Sequence, residues 1–180
     1  MMETYPIFTI GHSTRSLEQF IDLLRAHGVT LVADVRTVPR SRHNPQFNRD
    51  TLPEALAAAG IGYRHLPGLG GLRRTSPDSA NTGWRNASFR GFADYLQTAE
   101  FVAGLDELLG LAKQWRVAIM CAEAVPWRCH RSLIADALFA RGIPVEHIIS
   151  GEHTQSHRPT PFACVEGTQV TYPAAAGQGE

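Results

Sequence analysis

Val117-Ala-Ile-Met-Cys-Ala-Glu123, continued by Trp127-Arg-Cys-His-Arg131 and the segment that runs on to Gly142, decides the fold. Val117 to Met120 is a short apolar run that reads as a strand, and Cys121 ends it. After a loop, Leu133, Ile134, Ala137 and Leu138 recur at helical spacing between Trp127 and Arg141, and Gly142 stands where a helix C-terminal glycine belongs. Pro144 to Ile149 then supplies another strand. Strand, helix and strand in succession form the unit from which parallel sheets are built.

The same alternation extends toward the N-terminus. Pro6 to Ile10 is an apolar run ending at Gly11, and Ser16-Leu-Glu-Gln19 opens a helix with a capping-box pattern, in which two otherwise unpaired backbone donors are satisfied reciprocally. Leu17, Phe20, Ile21 and Leu24 line one helical face, and Gly28 closes it. Thr30 to Val35 is apolar enough to be covered on both faces, as interior parallel strands are, with Asp34 the exception. Asp50 or Thr51 caps a short helix with Pro53 in its first turn and Gly60 after it, and Ile61 to Leu66 is a third strand. Residues 67–90 show neither period and read as a long irregular connection. Helical pattern resumes over Phe92 to Leu96 and again from Phe101 to Leu111.

These elements predict an α/β fold, a three-layer domain with a mostly parallel central sheet flanked by helices on both faces. Residues 1–150 are expected to form a single domain. Residues 151–180 are read as a partly irregular C-terminal extension, with at most a hairpin across Phe162 to Tyr172 and a frayed tail over Ala174 to Glu180.

Composition narrows the function. The chain has 180 residues, 43% hydrophobic and 19% charged, ordinary for a globular protein. Met1 to Pro6 carries no basic run leading into an apolar stretch, and no apolar run is long enough to span a bilayer, so a cytoplasmic protein without a membrane partner is expected. Three cysteines, Cys121, Cys129 and Cys164, are too few and too unevenly spaced for a disulfide framework, which leaves free thiols as the expectation. The net charge of zero argues against binding a polyanion through bulk electrostatics. The basic residues are nevertheless clustered: Arg36 to Arg49 contains Arg36, Arg40, Arg42, Arg49 and His43 with no acid.

Ligands of open parallel sheets bind outside the carboxyl ends of the strands. Those ends carry His12 and Ser13, Asp34 and Arg36, His65, and Cys121 with Glu123. The loop from Cys121 to Arg131 sets one thiol at a strand end and places Cys129, His130 and Arg131 in the first turns of the next helix. The field of such a helix end favours anions and lowers a thiol pKa. Cys121 is therefore the expected nucleophile, Glu123 the general acid or base and His130 a proton carrier. His12 and Ser13 stand at an oxyanion position; Asp34 and Arg36 either pair or grip a ligand. Pro67 to Gly71, with Gly70 and Gly71, reads as a hinge carrying Arg73 and Arg74. No cofactor is expected, and no metal: Cys121, Cys129 and His130 lack zinc-finger spacing, and adjacent Cys129 and His130 should diverge on a helix. Cysteine-phosphatase chemistry is not expected either, because Arg128 comes one residue too late for that loop.

Thr9 to Ser13, Asp34 to Arg36, Pro39-Arg-Ser41, Leu69 to Gly71, Cys121 to Glu123, Pro126, and Cys129 to Arg131 together resemble domain-of-unknown-function family 488, over residues 7 to 150. The resemblance implies a compact α/β domain whose site is drawn from these motif residues, including Ser41, Gly70, Gly71, Cys129 and Arg131 as ligand-binding positions. The leading expectation is an enzyme acting through Cys121 and Glu123, as a transferase or hydrolase, on an anionic, phosphate-bearing or nucleotide-like ligand. The alternative is a nucleic-acid-binding module in which Arg40, Arg42, His43, Arg49, Arg73 and Arg74 meet phosphates, Phe47 or Trp84 stacks on bases, and the thiols are structural.

Overall fold

The computed structural model describes residues 6–174. The N-terminal reading, Met1 to Pro6, and the expected tail, Ala174 to Glu180, fall outside these residues except for Pro6 and Ala174. The chain is a three-layer α/β structure. Six strands, β1 (Ile7–Gly11), β2 (Leu31–Asp34), β3 (Gly62–His65), β4 (Val117–Cys121), β5 (Val145–Ile148) and β6 (Thr154–Ser156), make one sheet in the order β3-β2-β4-β1-β5-β6. The first five run parallel, and β6 pairs antiparallel with β5.

Alternation along the strands sends side chains to opposite faces, and each face is covered by helices. Phe8, Ile10, Val32, Ala118 and Met120 pack against Phe20 and Leu24 of α1 (Leu17–Ala26) and Leu52 and Leu56 of α2 (Leu52–Ala58). Ile7, Ala33, Val35, Ile119 and Cys121 pack on the other side against Phe92 of α3 (Ala87–Tyr95), Leu105 and Leu108 of α4 (Ala99–Ala112), and Leu133 and Leu138 of α5 (Arg131–Ala140). Every residue of β1, β2 and β4 is buried, which explains why these strands read as continuous apolar runs.

The strand order fixes where a ligand can sit. β1 and β4 are neighbours, with Gly11 opposite Cys121. The chain leaves β1 for α1 on one face and leaves β4 for α5 on the other. Where two adjacent parallel strands send their connections to opposite faces, a crevice opens at their carboxyl ends. Cys121 stands at that point.

Local signals account for most helix ends. Ser16 Oγ accepts from the Gln19 N–H at 3.1 Å and Gln19 Oε1 accepts from the Ser16 N–H at 3.0 Å, the capping box predicted for α1. Gly28 follows at φ +70°, a left-handed conformation that favours glycine. Three features differ from the reading of the sequence. α3 begins at Ala87, five residues before the expected start at Phe92, because Asn86 Oδ1 caps the N–H groups of Ser88 and Phe89. α5 begins only at Arg131: Pro126–Arg128 is a separate 3-10 turn, and Cys129 is extended at φ −135°, ψ 148°. β6 went unpredicted, since Thr154-Gln-Ser156 is polar throughout and lies at the sheet edge. The hairpin expected between Phe162 and Tyr172 is present as β7 (Cys164–Glu166) and β8 (Gln169–Thr171), and Val170 within β8 and Tyr172 just after it are buried in the α5-side core. No helix among the described residues is long and apolar enough to cross a membrane.

Candidate functional site

The loop after β4 folds back over β1. A Cβ on Gly11 would overlap the Glu123 carbonyl oxygen, so only glycine permits the crossing. The His12 N–H donates to Cys121 O and the Ser13 N–H to Ala122 O, both at 2.9 Å. Both amides are thus taken up in holding the Cys121 loop in place. The His12 ring is buried, stacks on Phe47 with centroids 4.4 Å apart, and donates from Nδ1 to Ser13 O at 2.8 Å. Burial pushes its pKa down. Ser13 adopts φ +50°, an uncommon conformation for a residue other than glycine.

Asp34 and Arg36 form the buried pair that was one of two expectations. Asp34 Oδ1 accepts from the Arg36 backbone N–H at 3.0 Å and from Nε at 2.9 Å, while Oδ2 accepts from Nη2 at 2.8 Å and from the Tyr63 hydroxyl. Arg36 Nη2 also donates to Phe47 O at 2.7 Å. Only Nη1 has no partner, and Arg36 lines a cavity of about 450 Å³ at the carboxyl edge of the sheet. Cys121, Glu123, Cys129, His130, Gly71, Arg40 and Arg128 line the same cavity. Glu123 is exposed there.

The two thiols are buried at this cavity and interact with each other. Burial raises the pKa of Cys121, but the hydrogen bond from Cys129, the Arg131 charge and the Glu123 peptide outweigh it, and the result lies below an ordinary thiol. Burial and the neighbouring Cys121 push Cys129 well above the ordinary value. Of the two, Cys121 is the readier to lose its proton.

His130 stands beside them. Its Nε2 lies 2.9 Å from Val35 O and 3.0 Å from Leu69 O, two groups that only accept, so Nε2 carries the proton. Nδ1 is then an acceptor, and it faces Cys129 Sγ at 3.4 Å. Burial lowers the His130 pKa to about 4, keeping the ring neutral. The expected divergence of Cys129 and His130 is therefore corrected: with Cys129 extended ahead of the helix, the two side chains converge.

Arg131 is 1% exposed. Nη2 donates to Ala124 O at 2.9 Å, whereas Nε and Nη1 are buried without a partner. Arg36 and Arg64 form ion pairs with Asp34 and Glu107, and His157 hydrogen-bonds Asp136, but no carboxylate pairs with Arg131 among the described residues. It does not line the cavity and lies behind its wall, so its placement as a direct ligand grip is corrected to a charge acting on the thiols.

Other expected positions are placed differently. Ser41 is outside the cavity and organises a turn, accepting from the Asn44 N–H at 3.1 Å and donating its own N–H to Asn48 Oδ1 at 2.6 Å. Gly70 packs against Thr37, and a Cβ on Gly71 would stand 2.7 Å from His130 Nδ1, so these glycines permit close packing. Arg73 pins the segment by donating to Gly70 O at 3.0 Å and Pro67 O at 2.9 Å while lying 3.7 Å over the Tyr95 ring, which corrects the hinge reading. Neither aromatic expected to stack on bases is free to do so. Phe47 is fully buried, and Trp84 is packed between Phe89 and Phe162, each with centroids 4.9 Å away.

Sequence reasoning missed a second polar cluster. Thr9 Oγ1 meets His147 Nδ1 at 2.6 Å, His147 Nε2 meets His157 Nδ1 at 2.9 Å, and His157 Nε2 donates to Asp136 Oδ1 at 2.7 Å. Asp136 also accepts from the Thr160 N–H, the Thr160 hydroxyl and the Tyr172 hydroxyl. Burial, and then the His157 charge, lower the His147 pKa to about 3. His147 and His157 border a separate cavity of about 390 Å³ walled by Trp84, Trp127 and Phe162. One signal was readable: Asp136 interrupts Ile134, Ala135, Ala137 and Leu138, an acid on an otherwise apolar helical face.

The fold and the paired thiols at the β1–β4 crevice define a class of α/β chain built on one mostly parallel sheet with a cysteine loop at its carboxyl edge. The chain belongs to the family described as Domain of unknown function DUF488, which it matches over residues 16–138. That span contains Arg36, Cys121, Glu123, Cys129, His130 and Arg131, and is narrower than the residues over which the motifs were read. Neither curated proteins nor solved structures gave a match to the chain.

Proposed function

We propose that this chain is an enzyme in which the Cys121 thiolate attacks an anionic small molecule, phosphate-bearing or nucleotide-like, seated in the arginine-edged cavity. The observation that carries the reading is Arg131, a buried guanidinium with no carboxylate partner among the described residues, whose charge favours the Cys121 thiolate. An unpaired buried cation is costly in a protein interior, and a thiolate next to it offsets that cost. Arg36 Nη1, Arg40 and Arg128 at the cavity supply donors for the anionic part of the ligand.

Glu123 is the group able to exchange protons with the ligand and with water, since it is exposed at the same cavity. It protonates the leaving group as the transferred group moves to Cys121 Sγ, then takes a proton from the incoming acceptor. His130 acts one step back, with neutral Nδ1 accepting a hydrogen bond from the Cys129 thiol and fixing its place.

Inorganic phosphate or a nucleoside monophosphate should slow iodoacetamide alkylation of Cys121 in a saturable way while leaving exposed Cys164 unaffected. Replacing Arg40 and Arg128 together by alanine should weaken that protection about tenfold, the loss expected for charge-assisted contacts. Peptide mass spectrometry reads both thiols in one sample. Protection absent at millimolar anion, or equal at Cys121 and Cys164, counts against an anionic ligand in this cavity.

A further inference from the structure

We propose that Cys121 and Cys129 are a dithiol–disulfide couple, in which Cys121 attacks a small anionic disulfide at the arginine-edged cavity and Cys129 resolves the mixed disulfide. This rests on Cys121 being the nucleophile of the site and adds a substrate class and a second reacting residue. A nucleophile alone does not require a second buried thiol against it. Here both thiols are buried and line the same cavity.

The backbone favours the couple. Cys129 lies in extended conformation between the 3-10 turn Pro126–Arg128 and α5, so it can close onto Cys121 without unwinding a helical turn. Disulfide formation requires the Cβ atoms to come within about 4 Å, and both thiols stand on the wall of one cavity. Cys129 Sγ is also held in place by two hydrogen-bond partners, His130 Nδ1 at 3.4 Å and the Arg131 N–H at 3.5 Å. Cys121, at the end of β4 on the cavity wall, takes the first attack, and Cys129, held by His130 and the Arg131 N–H on the same wall, follows once the mixed disulfide has formed.

In the first step the Cys121 thiolate attacks one sulfur of the substrate R–S–S–R; that bond breaks, Cys121–S–S–R forms, and one RS⁻ leaves. In the second, Cys129 Sγ attacks Cys121 Sγ as its proton moves to the departing sulfur. The Cys121–Cys129 bond forms, and the second sulfur leaves as RSH. The protein loses two electrons and the substrate becomes two thiols. Excess low-molecular-weight thiol reverses both steps and restores the reduced chain. Carboxylates on R are what Arg40 and Arg128 would hold.

The test uses the reduced full chain with oxidised glutathione, acid quenching, alkylation and peptide mass spectrometry. The expected result is a disulfide joining Cys121 and Cys129, free Cys164, and full reversal by reduced glutathione. Cys129→Ser should instead accumulate one glutathionyl group on Cys121, with Cys129→Ala as a second variant should serine perturb folding at this buried position. A wild-type chain that holds a stable glutathionyl group on Cys121 with no Cys121–Cys129 link overturns the couple and leaves Cys121 as nucleophile. A Cys121 that reacts no faster than Cys164 with either iodoacetamide or oxidised glutathione overturns both.

Discussion

Replacing Arg131 by methionine is expected to slow alkylation of Cys121 at neutral pH by about tenfold or more, while leaving the folded state within about 2 kcal/mol of wild type. Arg131 is the one cation among the influences on Cys121, and two of its N–H groups have no partner. Without it, burial dominates and the thiol pKa rises; each unit of rise removes a factor of ten from the thiolate fraction. Methionine fills the same elongated space without charge. Stability should change little, because two opposing effects meet. The bond from Nη2 to Ala124 O is lost, but so is a buried cation without a carboxylate. Arg131→Lys keeps the charge and should restore much of the rate. Alkylation kinetics and urea denaturation on the same preparations separate the two effects; an unchanged rate in Arg131→Met contradicts the assignment.

Asp136→Ala is expected to act in the opposite way, on stability far more than on Cys121. The carboxylate is 1% exposed and accepts from His157, from the Thr160 N–H and hydroxyl, and from the Tyr172 hydroxyl. Removing it strands all four donors, two of them on a ring and a hydroxyl that are themselves largely buried. Breaking a buried pair on one side costs about 3–5 kcal/mol, a large share of the 5–15 kcal/mol typical of a domain. The loss should fall first on the segment after β5, since Asp136 ties His157, Thr160 and Tyr172 to α5. Chymotrypsin cleavage after Phe162 should therefore accelerate in the variant under native conditions. A urea midpoint that corresponds to less than about 1 kcal/mol of destabilisation contradicts this role for Asp136.

Both predictions concern residues whose surroundings were only partly legible in the sequence. The interior strands were legible because strands covered on both faces are apolar throughout, and α1 because Ser16 and Gln19 spell out a capping box. Cys121 and Glu123 could be placed at the sheet edge by position alone, since a strand end facing a helix start is where such folds bind ligands. β6 escaped notice because its three residues are polar and its pairing with β5 is a tertiary event. α3 hid its first turn behind Asn86 and Ser88, residues as common in loops as at helix caps. Pro126 stopped the helical pattern from extending back to Trp127, and with it went the assumption that Cys129 and His130 share a helix. The His147–His157–Asp136 cluster joins β5, the segment after β6 and α5, and no local periodicity reports such contacts.

The central claim is that Cys121 is an activated thiol, and the pH dependence of its alkylation, followed beside that of Cys164 in one protein sample, tests it most directly. A group whose proton is released more readily in the folded protein reacts at lower pH than an ordinary thiol. The account predicts a Cys121 midpoint below that of Cys164, lost in Arg131→Met, with Cys129 slow across the same range. A Cys121 midpoint at or above that of Cys164 would contradict it and return the pair of thiols to the core as inert apolar side chains.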